Sequence, residues 1–371
     1  MGRLYAASLG AAIALCGISS IALAQAAPPA ESVATVQTVP PDVVVYSAPP
    51  AGFNPLLASD TALAKHGFPP RPDQNGAPQV YAHWQKLVMG AKKRVSNLKL
   101  QQTNIHNGPL QGWSEGPAQN ASERNAPANS IAVNATNWSG YAVTAANGTF
   151  SNNNSQVFAE WVVPIAKQAF GVCDGGWDYS SQWVGFDGAA NSNDVLQAGT
   201  EADAYCSGGA RAMFYSAWYE WSPFAETRIS LPVYKGNLIG TVVWYTTTSP
   251  FGHAYIVNYT TQQAAAIGFN PPLGTNYLGN SVQWVIERPE VNGALANLTN
   301  YIADQFNFEF AFNGSYFYPG SSPAGTTMYD ITMVCPPWSP SSSCPTSNTA
   351  ISVPQLYGTF TMWFYPEGLA Y

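Results

Sequence analysis

Charge is scarce in this sequence: only 9% of its 371 residues are Asp, Glu, Lys or Arg, against roughly a quarter in an average soluble protein. With a formal net charge of -7 and no basic stripe, a disordered chain and a nucleic-acid binder are both excluded, since each depends on charge density. Histidine is almost as rare. His66, His83 and His106 precede residue 130, which leaves His253 alone beyond it, in a Pro-Phe-Gly-His stretch that reads as a structural turn. A Ser-His-Asp or Cys-His centre would have to use that single residue. H-E-x-x-H and a zinc-like His/Cys cluster are both missing. So are paired Asp-Thr/Ser-Gly turns; the nearest segment, Phe186-Asp187-Gly188-Ala189, lacks the hydroxyl residue. No metal and no cofactor are expected. Beyond the first 24 residues, no apolar run approaches the ~18 residues that span a bilayer.

What is abundant is aromatic and turn-forming. Aromatic residues make up 13%, with 12 Trp, enough for a large core, while 32 Gly and 29 Pro interrupt the chain too often for long helices. The start reads as a signal peptide over residues 1–24: Arg3, an apolar run from Ala6 to Leu23, and Ala22-Leu23-Ala24 before Gln25. Export to an extracellular or periplasmic space follows, with no membrane attachment after cleavage. Cys16 falls inside that signal, so Cys173, Cys206, Cys335 and Cys344 remain, an even number that favours two disulfides in an oxidising compartment. Three pairings are open, of which Cys335 with Cys344 and Cys173 with Cys206 is the simplest. The spacings do not suit a four-cysteine zinc site.

Charge divides the exported chain in two. From Gln25 to Ser130 there are eight basic and six acidic residues, and from Ile131 to Tyr371 five basic and fifteen acidic. A basic prosegment and linker over 25–130, covering an acidic domain over 131–371, fits this split, with an attraction that weakens as carboxylates protonate. Gln25 to Pro50 reads as extended or disordered linker. Gln79 to Leu98 is the best helix, with Val80, Tyr81, Trp84, Leu87 and Val88 at helical spacing. Its basic end, Lys86, Lys92, Lys93 and Arg94, suits either a solvent face or docking on an acidic cleft. Gln101 to Ser130 reads as a protease-accessible linker.

Beyond residue 130, strand-length runs predominate: Val157–Val163, Ala212–Trp221, Ile239–Thr247, Ser281–Glu287, Phe306–Phe312 and Thr359–Tyr365. Asn147-Gly148, Asp187-Gly188, Asn292-Gly293 and Asn313-Gly314 supply turns. Short strands without intervening helices predict an all-β, antiparallel sandwich of jelly-roll type. Two strands carry a polar group in an apolar run. Alternation puts Gln283, Val285 and Glu287 on one face and Val282, Trp284 and Ile286 on the other, and Gln197 follows Asp194-Val195-Leu196 in the same manner.

Five blocks then carry a resemblance. Asn137-Trp138-Ser139-Gly140-Tyr141-Ala142, Ser181-Gln182-Trp183-Val184-Gly185-Phe186-Asp187-Gly188, Leu196-Gln197-Ala198-Gly199-Thr200, Ala217-Trp218-Tyr219-Glu220-Trp221 and Trp284-Val285-Ile286-Glu287 resemble, in order and approximate spacing, those of the glutamic peptidases, or eqolisins. The resemblance implies a secreted acid endopeptidase precursor on a concanavalin-like sandwich, acting on polypeptides, monomeric, and inhibited by its own prosegment. It implies a catalytic dyad of Gln197 and Glu287. Ionised Glu287 would take a proton from water and return it to the leaving nitrogen, and Gln197 would donate an amide N–H to the developing oxyanion. Trp183, Asp187, Trp218 and Glu220 would line the substrate cleft. Ser216, Ser222 and Gln283 depart from the common pattern. The rival reading is a carbohydrate-active or carbohydrate-binding sandwich, a glycoside hydrolase or lectin. It would need a second carboxyl, for which Glu201-Ala202-Asp203 is the nearest candidate, although no third acid continues its face.

Overall fold

The computed structural model describes residues 43–95, 97–115, 130–169, 174–319, 323–335, 346–350 and 359–365. The expected signal peptide lies outside them. Two helices occur among the described residues, α1 (Asp60–Lys65) and α2 (Pro78–Met89), and the rest of the regular structure is strand.

Period-two alternation builds two facing sheets. In the first, Leu100–Gln102, Thr227–Ile229, Ala210–Ser222, Val195–Ser207, Ser181–Phe186, Ser281–Glu287, Trp138–Thr144 and Thr327–Met333 pair antiparallel in that order, and Ser130–Ala135 adds parallel to the last. In the second, the order is Thr359–Tyr365, Ala303–Phe312, Gln156–Val162, Leu238–Tyr245, Gly252–Asn258 and Gln263–Phe269. Val282, Trp284 and Ile286 join Val184, Phe186, Leu196 and Ala198 in the core between them, where they meet Val157, Ala159, Trp161, Ala254 and Ile256 from the other sheet. The fold is the antiparallel β-sandwich that the run lengths predict. The turns follow suit: Asn292 and Gly293 have φ of 56° and 77°, the double positive φ of a tight hairpin turn.

Two glycines let the sheet of the site form. A Cβ on Gly199 would sit 1.9 Å from the Gln182 carbonyl, and one on Gly140, whose φ is 141°, would sit 2.1 Å from that of Trp284. Both positions allow strand backbones to close up beside side chains that matter below.

The N-terminal part is ordered differently from its sequence reading. α2 ends at Met89, not Leu98: Gly90 caps it, and Lys93–Arg94 turns away to pair parallel with Gln263 and Ala264. Nor does its basic end dock on the acidic cleft. Val80, Trp84, Leu87 and Val88 pack against Phe158, Val242, Trp244, Tyr255 and Val257 on the outer face of the second sheet. Burial stabilises by roughly 1.5–3 kcal/mol per large apolar side chain, against about 1 kcal/mol or less for an exposed ion pair, so the apolar face decides where the helix goes. Lys86 then pairs with Glu160 at 2.5 Å, and the Arg94 guanidinium lies over the Phe68 and Tyr255 rings at 4.7 and 4.8 Å. Val44–Val45, within the stretch read as linker, pairs with Ile267 and Gly268. His253 lies in strand Gly252–Asn258 rather than in a turn. It stacks on Trp244 at 4.9 Å, which bears out its structural reading.

Candidate active site

Gln197 and Glu287 lie one strand apart on the outer face of the first sheet, separated by Ser181–Phe186. Both are buried, at 0% and 1% exposure. The cover is the stretch read as a bare linker. Leu100–Gln102 and Ile105–His106 pair with Thr227–Ile229 and Glu290–Val291, and residues 107–111 run on across the face.

One peptide unit of that cover bridges the pair. Gln197 Nε2 donates to the Asn107 carbonyl, and the Gly108 N–H donates to Glu287 Oε1 at 3.0 Å. The carboxyl of Glu287 is held from two further sides, by Asn137 Nδ2 on Oε1 at 3.1 Å and by Trp183 Nε1 on Oε2 at 3.0 Å. Burial pushes its pKa well above the usual carboxyl range, opposed by the N–H groups of Gly108, Asn137, Trp183 and Trp138.

Glu220 faces Gln197 across the neighbouring strand. Its carboxyl accepts from the Asn107 N–H at 3.0 Å and from Asn107 Nδ2 at 3.2 Å, which makes it a reader of chain lying in the site. Burial raises its pKa as well, with Glu287 adding like-charge repulsion after the opposing N–H of Asn107. Trp183 and Trp218 are fully buried in one apolar cluster with Trp138. Trp138 meets Trp183 edge-on at 5.1 Å, and its own Nε1 donates to the Gly108 carbonyl at 3.1 Å. Asp187, at a φ of 65°, spends its carboxylate on the backbone N–H groups of Leu278, Gly279 and Asn280 at 2.7 to 3.0 Å. It ties a turn together beside the site, and its contacts are to the fold rather than to the covering chain.

Sequence reasoning did not single out Asn137, Trp138, Asn107 or Gly108. The signal for the first two was present, because they open the first of the five blocks, but nothing local marks residues 107 and 108. The structure also corrects the reading of Glu201 and Asp203. Further charges do join that face: Arg228 Nη2 lies 3.7 Å from Asp203, and Arg228 Nε donates to Glu226 at 3.0 Å. They come from the far side of a strand pairing that alternation cannot foresee. Ser181 Oγ donates to Glu201. Among the cysteines, Cys206 is buried on Val195–Ser207 and Cys335 is half-buried, while Cys173 and Cys344 lie outside the described residues.

Buried carboxyls set the pH response of the fold. Burial pushes Asp304 up to about 8, and burial together with the Asp194 charge pushes Asp187 up to about 7. A carboxyl with a raised folded-state pKa contributes stability that is complete below its unfolded pKa of about 4 and is lost as pH rises through the folded value. The window therefore runs from about pH 4 to about pH 8. We expect calorimetry to show Tm falling by at least about 5 °C across it; a Tm that rises over that interval would contradict the burial account.

A carboxyl and a carboxamide thus hold the two ends of one peptide unit on the outer face of an antiparallel sandwich. The chain belongs to the peptidase A4 family, whose model matches residues 136–352, and it is a glutamic-type peptide hydrolase. Among solved structures, it is similar to scytalido-glutamic peptidase with a transition state analog inhibitor, at 20% identity over 62% of this chain and 98% of that one, TM-score 0.43. It is also similar to SCP-B, an eqolisin in a complex with the tripeptide Ala-Ile-His, at 19% identity over 62% and 98%, TM-score 0.41. A third is aspergilloglutamic peptidase from Aspergillus niger, at 22% identity over 50% and 99%, TM-score 0.38. No curated protein matches the chain.

Proposed function

We propose that this chain is the precursor of an exported acid endopeptidase in which Glu287 activates water and Gln197 stabilises the oxyanion. The observation that carries the reading is the single peptide unit held at its carbonyl by Gln197 and at its nitrogen by Glu287. Those are the two atoms on which charge develops or a proton arrives during hydrolysis. Glu287, as carboxylate, takes a proton from water as its oxygen attacks the carbonyl carbon, and then delivers one to the departing nitrogen. The Gln197 N–H is already aimed at the carbonyl oxygen and needs no reorganisation as negative charge grows there. Trp183 and Asn137 hold the carboxyl in place, and Glu220 reads the residue on the acyl side.

Residues 25–130 act as an intramolecular inhibitor in this reading. The 105–111 stretch uses up the contacts of both residues, and the Gly108 N–H seated directly on Glu287 keeps the attacking water from entering between them. Withdrawal of the stretch returns water to the carboxyl, and its pKa falls back toward the free value of about 4.3, which suits work in acid. The mature enzyme is monomeric. The N-terminal signal directs export, and an even number of cysteines beyond it fits an oxidising destination. No observation favours the carbohydrate reading over this one, because the partner of Glu287 across the bound unit is an amide and not a second carboxyl.

The test is digestion of an unfolded protein in acid by the processed chain and by its Glu287→Gln variant. Loss of cleavage in the variant supports the assignment, and undiminished proteolysis overturns it.

A further inference from the structure

We propose that the Asn107–Gly108 peptide bond is this chain's own first cleavage site, cut in cis by Gln197 and Glu287 while residues 105–111 lie across them; this rests on the roles proposed above for that pair. Of the peptide units in the stretch, this one has its oxygen on Gln197 and its nitrogen on Glu287. Its neighbours are held by other groups. The Asn107 nitrogen goes to Glu220, the Gly108 carbonyl to Trp138, and the Pro109 carbonyl to Asn137 Nδ2 at 3.0 Å.

The chain is fixed on both sides of the bond as a bound substrate would be. Before it, Ile105–His106 pairs with Glu290–Val291, and the Glu226 N–H donates to the Ile105 carbonyl at 2.9 Å. After it, the Leu110 N–H donates to the Gly188 carbonyl at 3.0 Å and the Gln111 N–H to Asn137 Oδ1 at 2.9 Å. Fixing both flanks makes the reaction intramolecular and removes the entropy of encounter. The side chains fit as well. Asn107 is fully buried with its amide on Glu220. At Gly108, even an added methyl would meet nothing closer than Gln111 Nε2 at 3.8 Å.

The step is a plain hydrolysis. The water oxygen bonds to the Asn107 carbonyl carbon, the C–N bond breaks, and one proton passes by way of Glu287 to the Gly108 nitrogen. The products are an α-carboxyl on Asn107 and an α-amine on Gly108. The contact that marks the bond also delays its cleavage, since the Gly108 N–H lies directly against Glu287 and water must enter between them. The same residues are thus inhibitor first and substrate afterwards.

The test takes the full-length precursor, purified at neutral pH and shifted to about pH 3.5, close to the range where a free glutamate titrates. Fragments are followed by intact mass and N-terminal sequencing over about a hundredfold range of protein concentration, because a cut in cis is independent of dilution. The Glu287→Gln precursor runs alongside, and a synthetic peptide of residues 103–112 and an unrelated unfolded protein are offered to the processed enzyme. We expect the earliest fragments to end at Asn107 and begin at Gly108 at a rate unaffected by dilution, and the peptide to be cut at the same bond. In Gly108→Pro, whose ring removes the N–H that faces Glu287, cleavage there should slow by at least about a hundredfold.

If the unrelated protein is digested in a Glu287-dependent way while the first fragments begin elsewhere, the inference falls and the peptidase reading stands. If neither substrate nor precursor is cut, both fall. Cleavage at this bond that slows on dilution, or that persists in Glu287→Gln as a spontaneous Asn-Gly scission, also overturns it.

Discussion

Replacing Glu287 with Gln should lower kcat/KM on a peptide substrate by at least about a thousandfold, since one side chain both activates the water and protonates the leaving nitrogen, and a positioned acid–base group contributes roughly 100- to 10,000-fold. The change is close to isosteric. The amide oxygen can still accept from Gly108 and Asn137, which now donate to Oε1, so the covering stretch keeps its seat. The Trp183 N–H, which now donates to Oε2, would face an NH2 group and lose its acceptor, at a cost of about 1–3 kcal/mol. Against that, the variant no longer carries a buried carboxyl whose pKa is raised, so its Tm should decline less steeply than that of the parent as pH rises. Steady-state kinetics on the processed enzyme, and calorimetry on the precursor at both ends of the pH window, read the two effects separately. Retention of more than about a tenth of the parent activity would remove Glu287 from the chemistry.

Gln197→Ala should reduce kcat by about 100- to 1,000-fold, the loss typical of one oxyanion donor, and leave KM within about threefold, because the donor acts chiefly on the transition state. The KM-against-kcat split distinguishes this from a packing role. Gln197 is fully buried beside Leu196 and Ala198 of the core, so a merely structural side chain would show its loss in Tm and in both constants together. A rise in KM with kcat unchanged would assign Gln197 to substrate binding alone.

Much of the site was legible because its residues sit on strands. In Ser281–Glu287 the alternation sends Val282, Trp284 and Ile286 into the core and leaves Val285 and Glu287 on the opposite face, as the sequence pattern predicts. The observed strands Gln156–Val162, Leu238–Tyr245 and Thr359–Tyr365 lie within a residue or two of their predicted runs, since β-branched and aromatic residues flanked by Gly and Asn turns leave little else to form. The helix was legible in kind but not in length. Nothing in Ala91 to Leu98 forbids another turn of helix; the chain leaves it because Lys93–Arg94 finds a strand edge at Gln263 and Ala264.

The sequence by itself determined the class of fold, the face on which Gln197 and Glu287 emerge, and the opposite net charge of residues 25–130 and 131–371. These follow from local periodicity and composition, which every short window carries. Only the tertiary structure decided that Ser181–Phe186 runs between those two residues, that Glu220 stands opposite Gln197, and that Asn107 and Gly108 lie across the pair while α2 packs on the far side of the molecule. Those are pairings between segments tens to hundreds of residues apart. They are settled by which surfaces bury the most apolar area and satisfy the most backbone groups at once, and no single stretch of chain encodes them.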